Sequence, residues 1–95
     1  MQLPHVQIMS RSQCCLCDDA KAVVSRLAEQ PGMCTWEVVR IDADAGLMRR
    51  YGLDVPVILI DGVVTFRHRV SPEALAQALR EAKEQKTTVA VEDMA

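Results

Sequence analysis

The chain has 95 residues, of which 49% are hydrophobic and 25% charged, and its formal net charge is −2. This length and mixture predict a single globular domain that can bury a core without disulfide staples. The slightly acidic balance gives no electrostatic reason to expect nucleic acid or an anionic membrane as a partner, and no apolar run approaches the roughly 18 residues of a membrane span.

The start of the chain and its cysteine count suggest a cellular compartment. Residues 1–5 lack the basic start and the long apolar stretch of a secretory signal, so we expect a cytoplasmic protein. In a reducing compartment, four cysteines in a small chain indicate catalysis or metal binding rather than a disulfide scaffold.

The first half of the chain alternates between strand and helix patterns. Residues 6–9 predict a short strand, and apolar side chains at helical spacing predict a helix over residues 16–27. Pro31 and Gly32 mark the end of that helix. Residues 36–41 are rich in β-forming side chains and predict a second strand.

The middle of the chain predicts a short helix followed by a hairpin. Asp44 is suited to cap the helix, and residues 57–60 are apolar on both faces, as in a buried central strand. Asp61 and Gly62 form a strong signal for a tight turn into a last strand at residues 63–66.

The C-terminal part begins with a helix start signal. Ser71 can serve as the N-cap and Pro72 as the first helical residue. The apolar periodicity fades from Lys83 onward, so we expect the domain to span residues 1–84 and residues 85–95 to form a flexible tail.

The order of predicted elements, β-α-β-α-β-β-α, defines an α/β fold. A helix joins the first two strands, which favours a right-handed parallel crossover, and the last two strands form an antiparallel hairpin. We therefore expect a mixed four-stranded sheet with helices packed on it.

Two cysteines lie where the first strand ends and the first helix begins. Cys14 and Cys17 are three residues apart, so their Cα atoms in a first helical turn would lie roughly 5–6 Å apart, within disulfide range. Unpaired backbone N–H groups at a helix N-terminus favour the thiolate. The pair is therefore suited to thiol–disulfide exchange. With Cys15 it also allows a second interpretation, a module that binds Cu(I), Zn or a dimer-bridging iron–sulfur cluster.

The segment around this pair resembles a known family. Residues 14–20 read Cys-Cys-Leu-Cys-Asp-Asp-Ala and are similar to the Cys-x-Leu-Cys-Asp-x-Ala motif of small bacterial glutaredoxin-like proteins, which have the thioredoxin fold. Val55 and Pro56 match the cis-proline position that precedes the central strand in that fold. The resemblance covers residues 5–84, and it implies a glutaredoxin-like thiol–disulfide oxidoreductase that serves cell redox homeostasis.

The family's chemistry can be assigned to particular residues. Cys14 would attack a disulfide, and Cys17 would resolve the mixed disulfide. The resemblance also implies that the backbone of Val55, beside cis-Pro56, pairs with the incoming thiol substrate. Cys34 follows the first helix, which is about 22 Å long, so we expect it at the far end of the domain.

Basic residues are predicted to surround the dithiol. In this fold the first, second and fourth strands are parallel, which brings Arg11, Arg67 and Arg69 to the edge that holds Cys14. They would favour the thiolate and bind carboxylates of a peptide thiol, whereas Asp18 opposes thiolate formation. An equal alternative is that these are solvated surface arginines.

Two departures from classical glutaredoxins affect the expected substrate. Leu16 stands where they carry an aromatic residue, and residues 69–72, Arg-Val-Ser-Pro, replace the Gly-Gly…Asp segment that holds glutathione. We expect no bound cofactor and leave open whether glutathione is the thiol co-substrate. The expected partners of this predicted monomer are protein or low-molecular-weight disulfides, with neither nucleic acid nor membrane. A third interpretation is a non-catalytic thioredoxin-fold domain that binds a partner protein.

Overall fold

The apolar segments of the chain form adjacent strands in the computed structural model, which describes the backbone of residues 3–94 and the side chains of residues 3–84. Each predicted helix and strand is present, and apart from the C-terminal end of the last helix the ends lie within one or two residues of the sequence-based bounds. In chain order the elements are β1 (His5–Ser10), α1 (Cys15–Ala28), β2 (Thr35–Arg40), α2 (Ala45–Tyr51), β3 (Val57–Ile60), β4 (Val63–Arg67) and α3 (Pro72–Met94).

The four strands form one mixed sheet in the order β2-β1-β3-β4. Strands β1 and β2 are parallel, with Ser10 opposite Arg40, whereas β3 runs antiparallel to both β1 and β4. Because Met9 pairs with Val57 and Val57 pairs with Arg67, the C-terminal ends of β1, β2 and β4 meet at one edge. The predicted mixed sheet, with its parallel crossover and terminal hairpin, is confirmed.

Two hydrophobic clusters cover the two faces of the sheet. The strand period of two sends Ile58 and Ile60 to one face and Val57 and Leu59 to the other, so β3 is buried on both sides. The first cluster packs α1 and α3 on the sheet, and it includes Val6, Ile8, Ala20, Val24, Leu27, Leu75 and Leu79. The second cluster packs α2 on the opposite face, and it includes Met9, Cys17, Ile41, Tyr51 and Val55.

Side-chain caps begin the second and third helices. Asp44 Oδ1 accepts a 3.0 Å hydrogen bond from the Leu47 backbone N–H, and Ser71 Oγ accepts one of 3.1 Å from the Ala74 N–H. Each cap satisfies a backbone donor that the first turn of a helix leaves without an intrahelical partner. Both predicted caps are therefore confirmed.

The turn between β3 and β4 has two residues in the left-handed region. Asp61 has a φ of 52° and Gly62 a φ of 83°, the signs that a type I′ hairpin turn requires at both central positions. This turn returns the chain directly into β4, so that Ile60 pairs with Val63.

Helix α3 continues past the point where the apolar periodicity fades. Its backbone is helical from Pro72 to Met94, which suits a segment rich in the strong helix formers Ala, Glu, Lys and Gln. The side chains of the predicted tail, residues 85–95, lie outside the described residues, and the flexibility of this segment stays a prediction.

Candidate functional site

Cys14 and Cys17 are joined as a disulfide at the N-terminus of α1, with their Cα atoms 5.2 Å apart. Cys14 is the N-cap residue, in extended conformation, and its Sγ accepts a 3.1 Å hydrogen bond from the Cys17 backbone N–H. The sulfur thus occupies the position where a helix N-terminus offers donors to a negative charge.

The two sulfurs differ in their access to solvent. Cys17 is fully buried, at 0% exposure, in the cluster that contains Met9, Ile41 and Val55. Cys14 is half-buried and only borders that cluster. A disulfide substrate can therefore reach the sulfur of Cys14 before that of Cys17.

The other two cysteines are free and lie apart from this pair. Cys15 is exposed on the first turn of α1, next to the disulfide. Cys34 is buried beside Thr35, which pairs with His5 at the opposite edge of the sheet. Burial raises the pKa of the Cys34 thiol above its ordinary value, because desolvation disfavours the thiolate.

The loop between α2 and β3 contains a cis peptide bond between Val55 and Pro56, as the resemblance implied. Both residues are buried, and Val55 belongs to the same cluster as Cys17. The backbone N–H of His68 donates to the Pro56 carbonyl at 2.9 Å and to the Asp54 carbonyl at 3.3 Å. His68 reaches these acceptors with a φ of 66°, so the end of β4 holds the cis-proline loop.

Two of the three predicted substrate-binding arginines already have partners. Arg11 Nη1 donates to the Gly52 carbonyl at 3.0 Å, which links the loop before Cys14 to the end of α2. Arg67 Nε lies 3.6 Å from Asp54 Oδ2, and the ring of His68 lies 3.7 Å from the other oxygen of that carboxylate. Asp54 was missed by the sequence-based reasoning.

Arg69 lines a cleft beside the first turns of α1. The cleft has a volume of about 100 Å³ and lies between the first turns of α1 and the segment that joins β4 to α3. Within residues 3–84, Arg69 makes no ion pair, so its guanidinium is available to a ligand. The residues that line the cleft are Leu16, Asp19, Ala20, His68, Arg69 and Val70.

A second acidic residue that the sequence-based reasoning missed holds the loop before Cys14. Asp42 Oδ2 accepts hydrogen bonds from both the backbone N–H, at 3.0 Å, and the hydroxyl of Ser12. These bonds, with Arg40 nearby, lower the pKa of the Asp42 carboxyl to about 2. The parallel register offered a signal: Ser12 and Asp42 each lie two residues beyond the paired Ser10 and Arg40.

The described residues contain neither a metal-binding cluster nor a membrane-crossing helix. Among residues 3–84, no three His, Cys, Asp or Glu side chains lie close enough together to hold a metal ion. Within the described part of the chain, no helix has the length and apolar character needed to cross a membrane.

Comparisons with known proteins show the family and the fold of this chain. A family model described as Glutaredoxin-like domain (DUF836) matches residues 5–80. A structural genomics target protein from X. campestris is 26% identical, with a TM-score of 0.68 over 80% of this chain and 96% of that chain.

Two further solved structures show the fold. A mutant thioredoxin from Halobacterium salinarum is 22% identical, with a TM-score of 0.61 over 84% of this chain and 74% of its own. A protein titled Trxlp from Edwardsiella tarda is 18% identical, with a TM-score of 0.56 over 81% of this chain and 82% of its own. The predicted thioredoxin-like fold is thereby confirmed.

Proposed function

The chain belongs to the family of glutaredoxin-like domains, and we propose that it is a thiol–disulfide oxidoreductase whose Cys14–Cys17 pair exchanges with disulfide substrates. One observation carries this proposal. The pair sits at the N-terminus of α1 with Cys14 half-buried and Cys17 fully buried, an arrangement that separates an attacking sulfur from a resolving one.

The first step uses reduced Cys14. Its thiolate attacks one sulfur of a substrate R–S–S–R′, the S–S bond of the substrate breaks, and R′–S⁻ leaves and takes up a proton. The product is a mixed disulfide between Cys14 and R. The backbone N–H groups at the helix start, including the Cys17 N–H that contacts Cys14 Sγ, stabilise the attacking thiolate.

The second step releases the substrate. The Cys17 thiol loses its proton and attacks the Cys14 sulfur, which breaks the mixed disulfide and releases R–SH. Two electrons have then passed from the dithiol to the substrate, and the protein holds the Cys14–Cys17 disulfide. A low-molecular-weight thiol of the glutathione class would restore the dithiol and would itself become a disulfide.

We propose that the cis-proline loop aligns the substrate. None of the loop and turn hydrogen bonds within residues 3–94 uses the backbone N–H or carbonyl of Val55. An extended substrate strand can therefore form hydrogen bonds with that backbone. The bonds from Arg11 to Gly52 and from His68 to Pro56 fix the loop before substrate arrives.

Arg69 is the strongest of the three arginines proposed to bind substrate. It is exposed in the cleft beside α1 and free of ion pairs within residues 3–84, whereas Arg67 already faces Asp54 and Arg11 donates to Gly52. A carboxylate of glutathione bound there would be held by an exposed charge pair. Such pairs are screened over about 8–10 Å at physiological salt, so binding should be weak and salt-dependent.

The test measures glutathione-dependent reduction of bis(2-hydroxyethyl) disulfide across a salt series. We expect turnover in the wild type, a rate that falls with salt, and a lower rate in Arg69→Ala and Arg11→Ala. Arg26→Ala is the matched control, since Arg26 is an exposed arginine in the last turn of α1. Absence of any exchange would refute the function, and fast exchange that ignores salt and both arginines would refute the proposed glutathione contacts.

We also propose that the protein is a monomer that works in the cytoplasm on protein and low-molecular-weight disulfides. The buried, oxidisable Cys17 would be kept as a thiol by a reducing environment between turnovers.

A further inference from the structure

We propose that Leu53, with Arg49 and Arg50, forms a docking patch for protein substrates that carry carboxylates around an apolar side chain. This inference rests on the proposed exchange function and names the substrate class of the same site. The patch lies on the turn that ends α2 and leads into the cis-proline loop.

Leu53 has an unusual exposure for a leucine of this protein. Its side chain is 93% exposed, whereas Leu27, Leu59 and Leu75 are each buried. A single exposed apolar side chain is ordinary on a protein surface. What distinguishes Leu53 is its position, two residues before Val55, whose side chain packs in the cluster of Cys17.

Two arginines lie beside this leucine on the same helical face. The backbone stays in a right-handed turn past α2, since the Gly52 N–H bonds the Met48 carbonyl at 2.8 Å and Gly52 has a φ of −53°. Arg49 and Arg50 therefore lie at the i−4 and i−3 positions relative to Leu53, where side chains are neighbours. Both arginines are exposed.

These arginines are available to a partner's carboxylates. Within residues 3–84 neither forms an ion pair, and the guanidinium carbon of Arg50 lies 5.6 Å from the centroid of the Tyr51 ring. The chain as a whole has a formal charge of −2, so a basic patch here is a local feature rather than part of a basic protein. Charge complementarity selects an acidic segment.

A second copy of the chain is a poorer occupant than a different protein. In a two-fold contact through this patch, Arg49 and Arg50 of one copy would face the same arginines of the other, and like charges would repel. The patch is also connected to the loop that precedes Cys14, because Arg11 in that loop bonds the Gly52 carbonyl next to Leu53. Leu53 precedes Val55 by two residues, so a peptide that contacts Leu53 can also contact the Val55 backbone.

The test uses two synthetic peptides that differ only in charge. Each carries one cysteine in a mixed disulfide with 2-mercaptoethanol, and a leucine nearby that is flanked by two glutamates in one peptide and by two lysines in the other. Pre-reduced protein is mixed with each peptide, and release of the peptide thiol is followed over a single turnover. Every rate is divided by that variant's own rate with bis(2-hydroxyethyl) disulfide.

We expect the wild type to reduce the glutamate peptide about tenfold faster than the lysine peptide at low salt, with the ratio falling as salt rises. The Arg49→Glu/Arg50→Glu double variant should reverse this preference, and Leu53→Ala should slow the normalised reaction with the glutamate peptide several-fold. Arg26→Glu and Val63→Ala are the matched controls and should keep the wild-type ratio. Val63 is the other exposed large apolar residue, at 66%, and lies on the hairpin at the opposite edge.

Three results would overturn the inference. One is a wild-type ratio near one, and another is an equal loss of preference in Arg26→Glu. The third is a wild-type dimer, seen by analytical ultracentrifugation at the assay concentration, that Leu53→Ala dissolves, since the occupant would then be a second copy. A wild type that reacts with neither peptide nor with bis(2-hydroxyethyl) disulfide would instead refute the underlying exchange function.

Discussion

Two edges of the same sheet hold cysteines in opposite environments. At one edge, where β1, β2 and β4 end, Cys14 caps a helix and is half-buried. At the other edge Cys34 is buried in the first hydrophobic cluster, and burial raises the pKa of its thiol. The helix N-terminus thus favours the thiolate of Cys14 at one edge, whereas burial disfavours the thiolate of Cys34 at the other.

The polar contacts at the two edges also serve different purposes. At the Cys34 edge, the ring of His5 lies 2.7 Å from both Thr35 Oγ1 and Glu37 Oε2, which joins neighbouring strands in register. At the Cys14 edge, side chains bond loops rather than strands, as Arg11 does at Gly52. Under the proposed function, these bonds hold the loops around Cys14 in place while the N-terminus of α1 stays open to a substrate.

The largest expected effect comes from removing the sulfurs of the pair. Cys14→Ser should reduce disulfide exchange to the uncatalysed background, because no attacking thiolate remains. Cys17→Ser should accumulate a mixed disulfide at Cys14, detected by intact-protein mass spectrometry. Cys15→Ser and Cys34→Ser are the controls and should retain most of the activity. Substantial exchange in Cys14→Ser would contradict the proposal that Cys14 supplies the attacking thiolate.

The next effect is a difference in thiol reactivity within the reduced protein. In a Cys17→Ser background, we expect Cys14 to be alkylated at neutral pH about 100-fold faster than Cys34, since the helix N-terminus favours its thiolate and burial disfavours that of Cys34. Site-resolved mass spectrometry over a pH series gives both rates. Similar rates for the two cysteines would contradict this electrostatic account.

A smaller effect should appear in stability rather than activity. Cys34→Ser places a hydroxyl in an apolar cluster, and we expect the free energy of unfolding to fall by about 1–3 kcal/mol. Cys15→Ser is the matched control on an exposed position and should change stability little. Urea denaturation measures both. Equal effects of the two substitutions would mean that Cys34 is not packed as described.

The smallest expected effect is the pH dependence of the loop held by Asp42. Its carboxyl pKa is lowered in the folded protein to about 2 from 3.8, so the unfolded chain binds the proton first as the pH falls. The stabilisation is therefore present above about pH 4 and is lost as the pH falls toward 2. The wild type should lose free energy of unfolding over this pH range. Asp42→Asn should lose less of it than the wild type, whereas Glu29→Gln should lose as much.

The elements of the fold were predictable because their signals are local. Apolar alternation over residues 57–60, the Asp61–Gly62 turn and the Ser71 cap each act over a few neighbouring residues, and each is present in the structure. The cis bond at Pro56 was different, because it was inferred from resemblance to a family rather than from any local pattern.

The contacts that shape the candidate site were not predictable in the same way. Arg11 bonds Gly52 and Ser12 bonds Asp42 across 41 and 30 residues of sequence, between segments that have no periodic pattern. Such pairings depend on the strand register, which had to be known first. The same limit explains why Asp54 was overlooked beside Arg67.

The most direct test of the central claim is a redox titration of the wild type with peptide mapping at each potential. We expect one two-electron transition within the range of about −120 to −270 mV that catalytic dithiols span. Mapping should find a Cys14–Cys17 bridge in the oxidised form, with Cys15 and Cys34 remaining as thiols. A dominant bridge that includes Cys15 or Cys34, or a protein whose thiols show no reversible transition, would contradict the account.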